Sequence, residues 1–304
     1  MPKKTDIMTT LKQLATKANQ YAKYESDEKL TWCTGCGNFG IQNALKRALT
    51  LEDIDTQNVL LCFDVGCNGN GSDKIHGYTI HGLHGRVVSL AAGAVIANPK
   101  MKVVAMAGDG ATFSEGVNHL VHAIRNDYPF LFIIHNNNNY GLTTGQASAT
   151  TRKGQKMNGT PEGVTTDPIN PLEMILSLGP TFVARSFSGD TNHMTDMFRA
   201  GMNHNGFAVV EVMQSCPTYN KATPQEWYWE RLKYLDESNH DSSDIWAARK
   251  AAEDLDNKIS VGVLYRKNDI NFLERLASRE GLHNSVLVDE VKHHDISKLM
   301  EQFE

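Results

Sequence analysis

What the 304-residue sequence lacks narrows its function first. Its apolar runs, such as Val103 to Ala107 and Phe130 to Ile134, are far too short for a membrane helix, which needs about 20 apolar residues. The lysines of Met1-Pro2-Lys3-Lys4-Thr5-Asp6 are not followed by an apolar segment, so no signal peptide is expected and the chain reads as cytoplasmic. No basic stripe stands out and the formal net charge is −5, so no nucleic-acid partner is expected. Cysteines are few and odd in number: Cys33, Cys36, Cys62, Cys67 and Cys216. In a long chain without a leader that speaks against a disulfide scaffold and leaves thiolates for metal or redox work. There is no internal repeat and no linker rich in Pro, Gly or Ser.

What is present is globular. Hydrophobic residues make up 40% and charged residues 21%, enough for a sizeable core in one large domain or two ordinary ones. A polar lead-in over residues 1–28 places Leu11, Leu14 and Ala15 on one helical face. After the glycine-rich loop Trp32 to Asn38, the spacing of Ile41, Ala44, Leu45, Ala48 and Leu49 predicts a helix. Short continuous apolar runs then alternate with amphipathic stretches. Strands are expected at Asn58 to Phe63, Lys102 to Ala107, Phe130 to His135, Thr181 to Arg185 and Phe207 to Met213. Helices are expected at Arg86 to Asn98, through Val117 to Ile124, at Leu172 to Leu178 and through Met194 to Phe198. This alternation implies an α/β fold, a parallel sheet with helices on both faces. Ligands of such sheets sit at the carboxyl ends of the strands. Beyond Cys216 the chain is more polar, with a helix from about Ser243, a strand Ile259 to Tyr265 and a helix around Asn271 to Ala277.

Two groups of residues carry chemistry. Gly108-Asp109-Gly110 lies between a buried strand and a helix, where glycine lets backbone approach a phosphate and the helix N-terminus favours it. Asp109 offers a hard oxygen to magnesium, which takes few protein oxygens plus phosphate oxygens. The run Asn136 to Asn139 ends the next strand and could complete the set. Taken singly, Gly-Asp-Gly is a common turn and an asparagine run a solvated loop; together at neighbouring strand ends they favour a metal–phosphate site. The Gly-x-Gly-x-x-Gly nucleotide fingerprint fails, because Phe113 holds its third glycine position. The second group is Cys33-x-x-Cys36 with the isolated Cys67 and Cys216. Spacing alone leaves open zinc, a redox dithiol or a [4Fe–4S] cluster.

Gly108-Asp109-Gly110 followed by Asn136-Asn137 resembles the thiamine diphosphate signature, and the tail Asn139-Tyr140-Gly141-Leu142-Thr143-Thr144-Gly145-Gln146 is similar to that of 2-oxoacid:ferredoxin oxidoreductase β subunits. Trp32 to Gly37, Val65 to Asn68, His84-Gly85-Arg86 and Ser215-Cys216-Pro217 resemble further motifs of that family. The likeness runs from about Leu30 to Asn220 and implies a thiamine diphosphate-binding fold. It implies magnesium held by the side chains of Asp109 and Asn137 and the carbonyl of Asn139. It implies cofactor contacts from Val65, Gly66, Cys67, Asn68, His84, Gly108, Gly110, Gly141 and Leu142, with Leu142 near the substrate. It implies one [4Fe–4S] cluster on Cys33, Cys36, Cys67 and Cys216, leaving Cys62 as a small buried hydrophobe.

The family's activity is CoA-dependent oxidative decarboxylation of a 2-oxoacid, pyruvate or 2-oxoglutarate, with electrons passed to ferredoxin. Thiamine activation needs a glutamate that in this family lies in a different domain, so the resemblance implies an α subunit as partner. The expected division is a lead-in at 1–28, a cofactor and iron–sulfur domain at 29–220, and an extension at 221–304 packed on that domain or on the partner. Two other readings stand beside this one. A non-oxidative thiamine enzyme half has no use for four cluster cysteines, and a metal-binding electron carrier has no use for Asp109 and Asn137.

Overall fold

The computed structural model describes residues 17–279, 286–289 and 295–301. Of the lead-in, residues 17–22 are helical, whereas Leu11, Leu14 and Ala15 lie outside the described residues.

Eight strands form one sheet among the described residues: β1 Val59–Phe63, β2 Tyr78–His81, β3 Lys102–Gly108, β4 Leu131–Asn136, β5 Phe182–Phe187, β6 Ala208–Met213, β7 Leu232–Tyr234 and β8 Ile259–Arg266. Their order is β2-β1-β3-β4-β6-β5-β8-β7. The first six run parallel, as the apolar runs predict. The last two correct that reading: β8 pairs with β5 antiparallel and carries β7 beside it, so the sheet is mostly parallel. An apolar run records burial on both faces but not strand direction. The sequence reading also passes over β2 and β7. β2 is a four-residue edge strand with mostly exposed side chains, and β7 has only three residues.

Alternate side chains point to opposite faces of a strand, and each face has its own core. On one, Leu61, Val104, Met106, Ile133 and Val210 pack under the helices Asn38–Leu51 and Thr191–Met202. On the other, Val103, Ala105, Phe132, Ile134 and Val209 pack under the helices Val87–Ala97, Val117–Asn126, Pro171–Ser177 and Ile245–Glu253. Cys62 belongs to this second core, fully buried, as a small hydrophobe does. Four helix starts among the described residues are capped by side chains, with Asn170, Asp190, Asp244 and Asn271 accepting from the amides of Glu173, His193, Trp246 and Glu274.

Buried histidines tie the fold to pH, His135 most strongly and His193 and His204 as well. The Nδ1 of His193 lies 2.7 Å from the Ser186 hydroxyl, and the Nε2 of His204 lies 3.0 Å from the Thr181 hydroxyl. Burial lowers both from the ordinary histidine value. The unfolded chain therefore binds these protons more readily, so their contribution to stability is complete above about pH 6.5 and is lost as pH falls from there towards the depressed folded values. The urea midpoint is expected to drop between slightly alkaline and mildly acidic buffer, and His204→Gln is expected to reduce that drop. An equal drop in the variant would remove His204 from the account.

Candidate active-site cleft

Because β1, β3, β4 and β6 run parallel, their carboxyl ends meet at one edge of the sheet. The loops that leave them enclose a cleft of about 290 Å³. The β1 loop lends Val65, Gly66, Cys67 and Asn68, and the segment after β2 lends His84. The β3 loop lends Gly108 and Gly110, and the β4 loop lends Asn137, Asn139, Gly141 and Leu142. The cofactor positions named from the sequence are thus gathered around one space.

Asp109 stands behind this lining, 1% exposed. One carboxylate oxygen is engaged from behind by the hydroxyls of Ser148 at 2.5 Å and Thr150 at 2.6 Å. The other receives only the Asn137 amide, at 3.4 Å. Burial pushes its pKa up to about 6 despite these hydrogen bonds. A buried carboxylate so disfavoured in its charged form is one that a bound cation would compensate. The asparagine loop is held beside it: the Asn137 side chain accepts from the Asn139 amide at 3.1 Å, and Asn220 donates to the Asn137 carbonyl at 3.0 Å. Behind the loop, Thr150 reaches the Asn136 amide oxygen at 3.2 Å, and Asn136 donates to Glu211 at 2.7 Å. Glu211 in turn pairs with Arg185 at 2.7 Å, both side chains fully buried.

The β1 and β2 loops are fixed by Asp64, also fully buried, which accepts from the amides of Gly85 at 2.9 Å and Val87 at 3.2 Å. His84 sits with Nδ1 3.1 Å from the Val65 carbonyl and Nε2 3.3 Å from Glu115. Glu115 also accepts from the Tyr140 hydroxyl at 3.0 Å. The ring of Tyr140 lies so close over Gly110 that a Cβ there would collide with it, which is the close approach that makes glycine necessary. Between Gly110 and the helix Val117–Asn126, the expected helix start is a wider turn over Ala111–Glu115, in which the Gly116 amide reaches back to Ala111.

The four cysteines singled out with the CxxC loop also come together. Burial and its cysteine neighbours Cys36, Cys216 and Cys33 push the Cys67 thiol up to about 12. Burial, with Cys216 and Cys33, pushes Cys36 up to about 11. Burial alone raises Cys62, which sets it apart from the group. Exposure falls from Cys33, exposed, through Cys36 and Cys67 to Cys216, buried. The group abuts the cleft, since a Cβ on Gly141 would stand 3.1 Å from Cys67 Sγ, and Cys216 Sγ lies 4.0 Å from the Asn139 side-chain oxygen. Trp32 closes one side, its indole N–H donating to the Cys67 carbonyl at 2.6 Å. Among the described residues no three His, Cys, Asp or Glu side chains converge as a single metal ion requires.

Known proteins are similar to this chain. The thiamine pyrophosphate enzyme C-terminal TPP-binding domain matches residues 64–212, and the C-terminal part of the pyruvate ferredoxin oxidoreductase β subunit matches residues 216–280. The chain is 36% identical over 270 residues to a 2-oxoacid:ferredoxin oxidoreductase β subunit of Aeropyrum pernix, covering 85% of each chain. It is 39% identical over 209 residues to the corresponding subunit of a Sulfolobus species, covering 67% of this chain and 68% of that one. The chain belongs to the 2-oxoacid:ferredoxin oxidoreductase β-subunit family. Its structure superposes with a TM-score of 0.83 and 32% identity on a 2-oxoglutarate:ferredoxin oxidoreductase from Magnetococcus marinus, determined with 2-oxoglutarate, coenzyme A and succinyl-CoA bound. The match covers 94% of this chain and 96% of that one. The chain is therefore an oxidoreductase subunit with a thiamine diphosphate-binding domain. Within this β subunit, the loops after β1, β2, β3 and β4 all fall inside the matched thiamine pyrophosphate domain.

Several cleft residues escape the sequence reading. Asn38, His135, Tyr140, Thr143 and Gln214 line the space, and Ser148 and Thr150 orient Asp109. His135 is legible only as the end of an apolar run. Ser148 and Thr150 lie in an irregular stretch where no periodicity marks them. No helix among the described residues is long and apolar enough to cross a membrane.

Proposed function

We propose that this β subunit holds thiamine diphosphate through magnesium on Asp109, Asn137 and the Asn139 carbonyl, and one [4Fe–4S] cluster on Cys33, Cys36, Cys67 and Cys216. The reaction is the CoA-dependent oxidative decarboxylation of 2-oxoglutarate or pyruvate to the acyl-CoA and CO₂, with ferredoxin as electron acceptor. The observation that carries this reading is the approach of the asparagine loop to the cysteines: a Cβ on Gly141 would stand 3.1 Å from Cys67 Sγ, and Cys216 Sγ lies 4.0 Å from the Asn139 side-chain oxygen. Each donor set fits its group. One carboxylate with amide and carbonyl oxygens suits magnesium that shares its sphere with phosphate. Four cysteines, of which Cys36 and Cys67 are raised by burial and by their cysteine neighbours, offer the thiolates that a cluster takes once iron displaces their protons.

Bound there, thiamine diphosphate would supply carbanion chemistry at the 2-oxo carbon, and a cluster on the cysteines would supply one-electron chemistry. The residues of this chain do the rest of the work visible at the site. Ser148 and Thr150 hold one oxygen of Asp109 and leave the other to the Asn137 amide. His84, with Gly108 and Gly110, takes the diphosphate side, while Val65 to Asn68 and Leu142 form the walls at the reacting end. The acid needed at the aminopyrimidine comes from another chain, an α subunit, as the family resemblance implies. Residues 29–220 form the cofactor-binding unit in this assembly, residues 1–28 its lead-in, and residues 221–304 an extension packed on that unit or on the partner. The localisation that suits ferredoxin-linked chemistry is the cytoplasm.

The test is iron, acid-labile sulfide and magnesium-dependent thiamine diphosphate binding on protein purified without oxygen. About four irons and four sulfides per chain, with binding that disappears on magnesium removal, are expected. Thiamine diphosphate binding without sulfide would leave a non-oxidative thiamine enzyme half. Sulfide without thiamine diphosphate binding would leave an electron carrier.

A further inference from the structure

A buried polar wall lines the cleft beside the CxxC loop. It is made of Asn38, His135 and Gln214, which are 2%, 5% and 1% exposed. The backbone of Gln214 is anchored where β6 ends, its amide donating to the Asn136 carbonyl at 2.8 Å. Its side chain is wedged under the CxxC loop: a Cβ on Gly37 would stand 2.6 Å from Gln214 Cγ, and the Gly37 amide donates to the Ser215 carbonyl at 3.4 Å. From that position the side-chain Nε2 donates to Cys36 Sγ at 3.6 Å.

The other end of the amide is unsatisfied. Gln214 Oε1, Asn38 Nδ2 and His135 Nε2 are all buried without a partner, and all three residues line the cleft. His135 Nδ1 lies 2.9 Å from the Asn38 side-chain oxygen, so in this amide assignment Nδ1 carries the ring proton and Nε2 is an acceptor. A leucine or methionine would fill the Gln214 position without an orphaned oxygen, and buried polar groups without partners are costly. What the amide alone provides is the N–H directed at sulfur.

Resting on the proposed function, we propose that Gln214 sets the reduction potential of the iron–sulfur cluster through its N–H···S hydrogen bond to Cys36. A donor on a ligating sulfur draws electron density from it and favours the reduced, more negative form of the cluster, so the bond raises the potential. Gln214 is a positioning residue that acts through Cys36.

The experiment is a redox titration, followed by electron paramagnetic resonance, of the anaerobically purified holoenzyme and of Gln214→Leu and Gln214→Glu. Leucine removes the donor and keeps the packing, whereas glutamate keeps the shape and turns a donor into a negative acceptor. Both are expected to retain iron and thiamine diphosphate and to shift the midpoint to more negative values. About a tenfold change in the one-electron equilibrium, about 59 mV, is expected for leucine, and a larger shift for glutamate. An unchanged midpoint with full iron content would reduce Gln214 to a packing residue and overturn the proposal. Loss of iron from both variants, with the parent loaded, would also overturn it, by showing that the side chain only holds the loop. Absence of iron and sulfide from the parent is a different result, because it removes the cluster reading itself.

Discussion

Replacing Asp109 by asparagine is expected to weaken magnesium-dependent thiamine diphosphate binding at least about 100-fold while leaving the chain folded. Losing residues that merely orient metal ligands costs 10- to 100-fold, so losing the one anionic ligand sets a larger scale. The fold survives because the change is isosteric and because the group removed is one that burial already disfavours in its charged form. An asparagine oxygen can still accept from Ser148 and Thr150, which hold the aspartate now. Melting of the metal-free protein at neutral pH is thus expected to be no lower than that of the parent, and calorimetric titration with thiamine diphosphate is expected to detect no binding in the range where the parent saturates. Binding at parental affinity would relocate the metal away from the β3 loop.

The reason this residue could be named from sequence, and others could not, is physical. A buried parallel strand is written in consecutive residues, as in Val103 to Ala107, and the loop that leaves it must appear next in the chain. Asp109, Asn137 and Cys67 therefore announce themselves as polar or reactive groups immediately after an apolar run. Ser148 and Thr150 act on Asp109 from about 40 positions downstream, a separation that periodicity does not encode. Gln214 and Asn38 meet across 178 and 97 residues the groups they serve, Cys36 and His135. The antiparallel course of β8 was hidden for a related reason, since Ile259 to Tyr265 reads the same in either direction. The four cysteines occupy an intermediate place. Their number and isolation suggested metal chemistry, but only the folded chain brings Cys33 and Cys36 to Cys67 and Cys216 and leaves Cys62 behind in the core.

The second large effect is expected at the Arg185–Glu211 pair, far less visible in sequence and central in the sheet. Both side chains are fully buried, and the two terminal nitrogens of Arg185 have no partner. Glu211→Leu alone leaves a buried guanidinium without its counter-charge and is expected to destabilise the chain by about 3–5 kcal/mol, read from the urea midpoint. Arg185→Met with Glu211→Leu removes both charges and is expected to recover most of that loss, because an apolar pair of similar volume fills such sites at little cost. Recovery of stability should not be recovery of function. Glu211 also accepts from Asn136, which bonds Thr150, which bonds Asp109, so one chain of hydrogen bonds joins the ion pair to the proposed magnesium ligand. The stable double variant is therefore expected to bind magnesium and thiamine diphosphate about 10- to 100-fold more weakly, the usual scale for groups that orient metal ligands. Parental affinity in that variant would mean that the pair serves the sheet alone. Weakened affinity at restored stability would mean that a charge buried at some cost to the fold is retained because it aims Asp109 at the cleft.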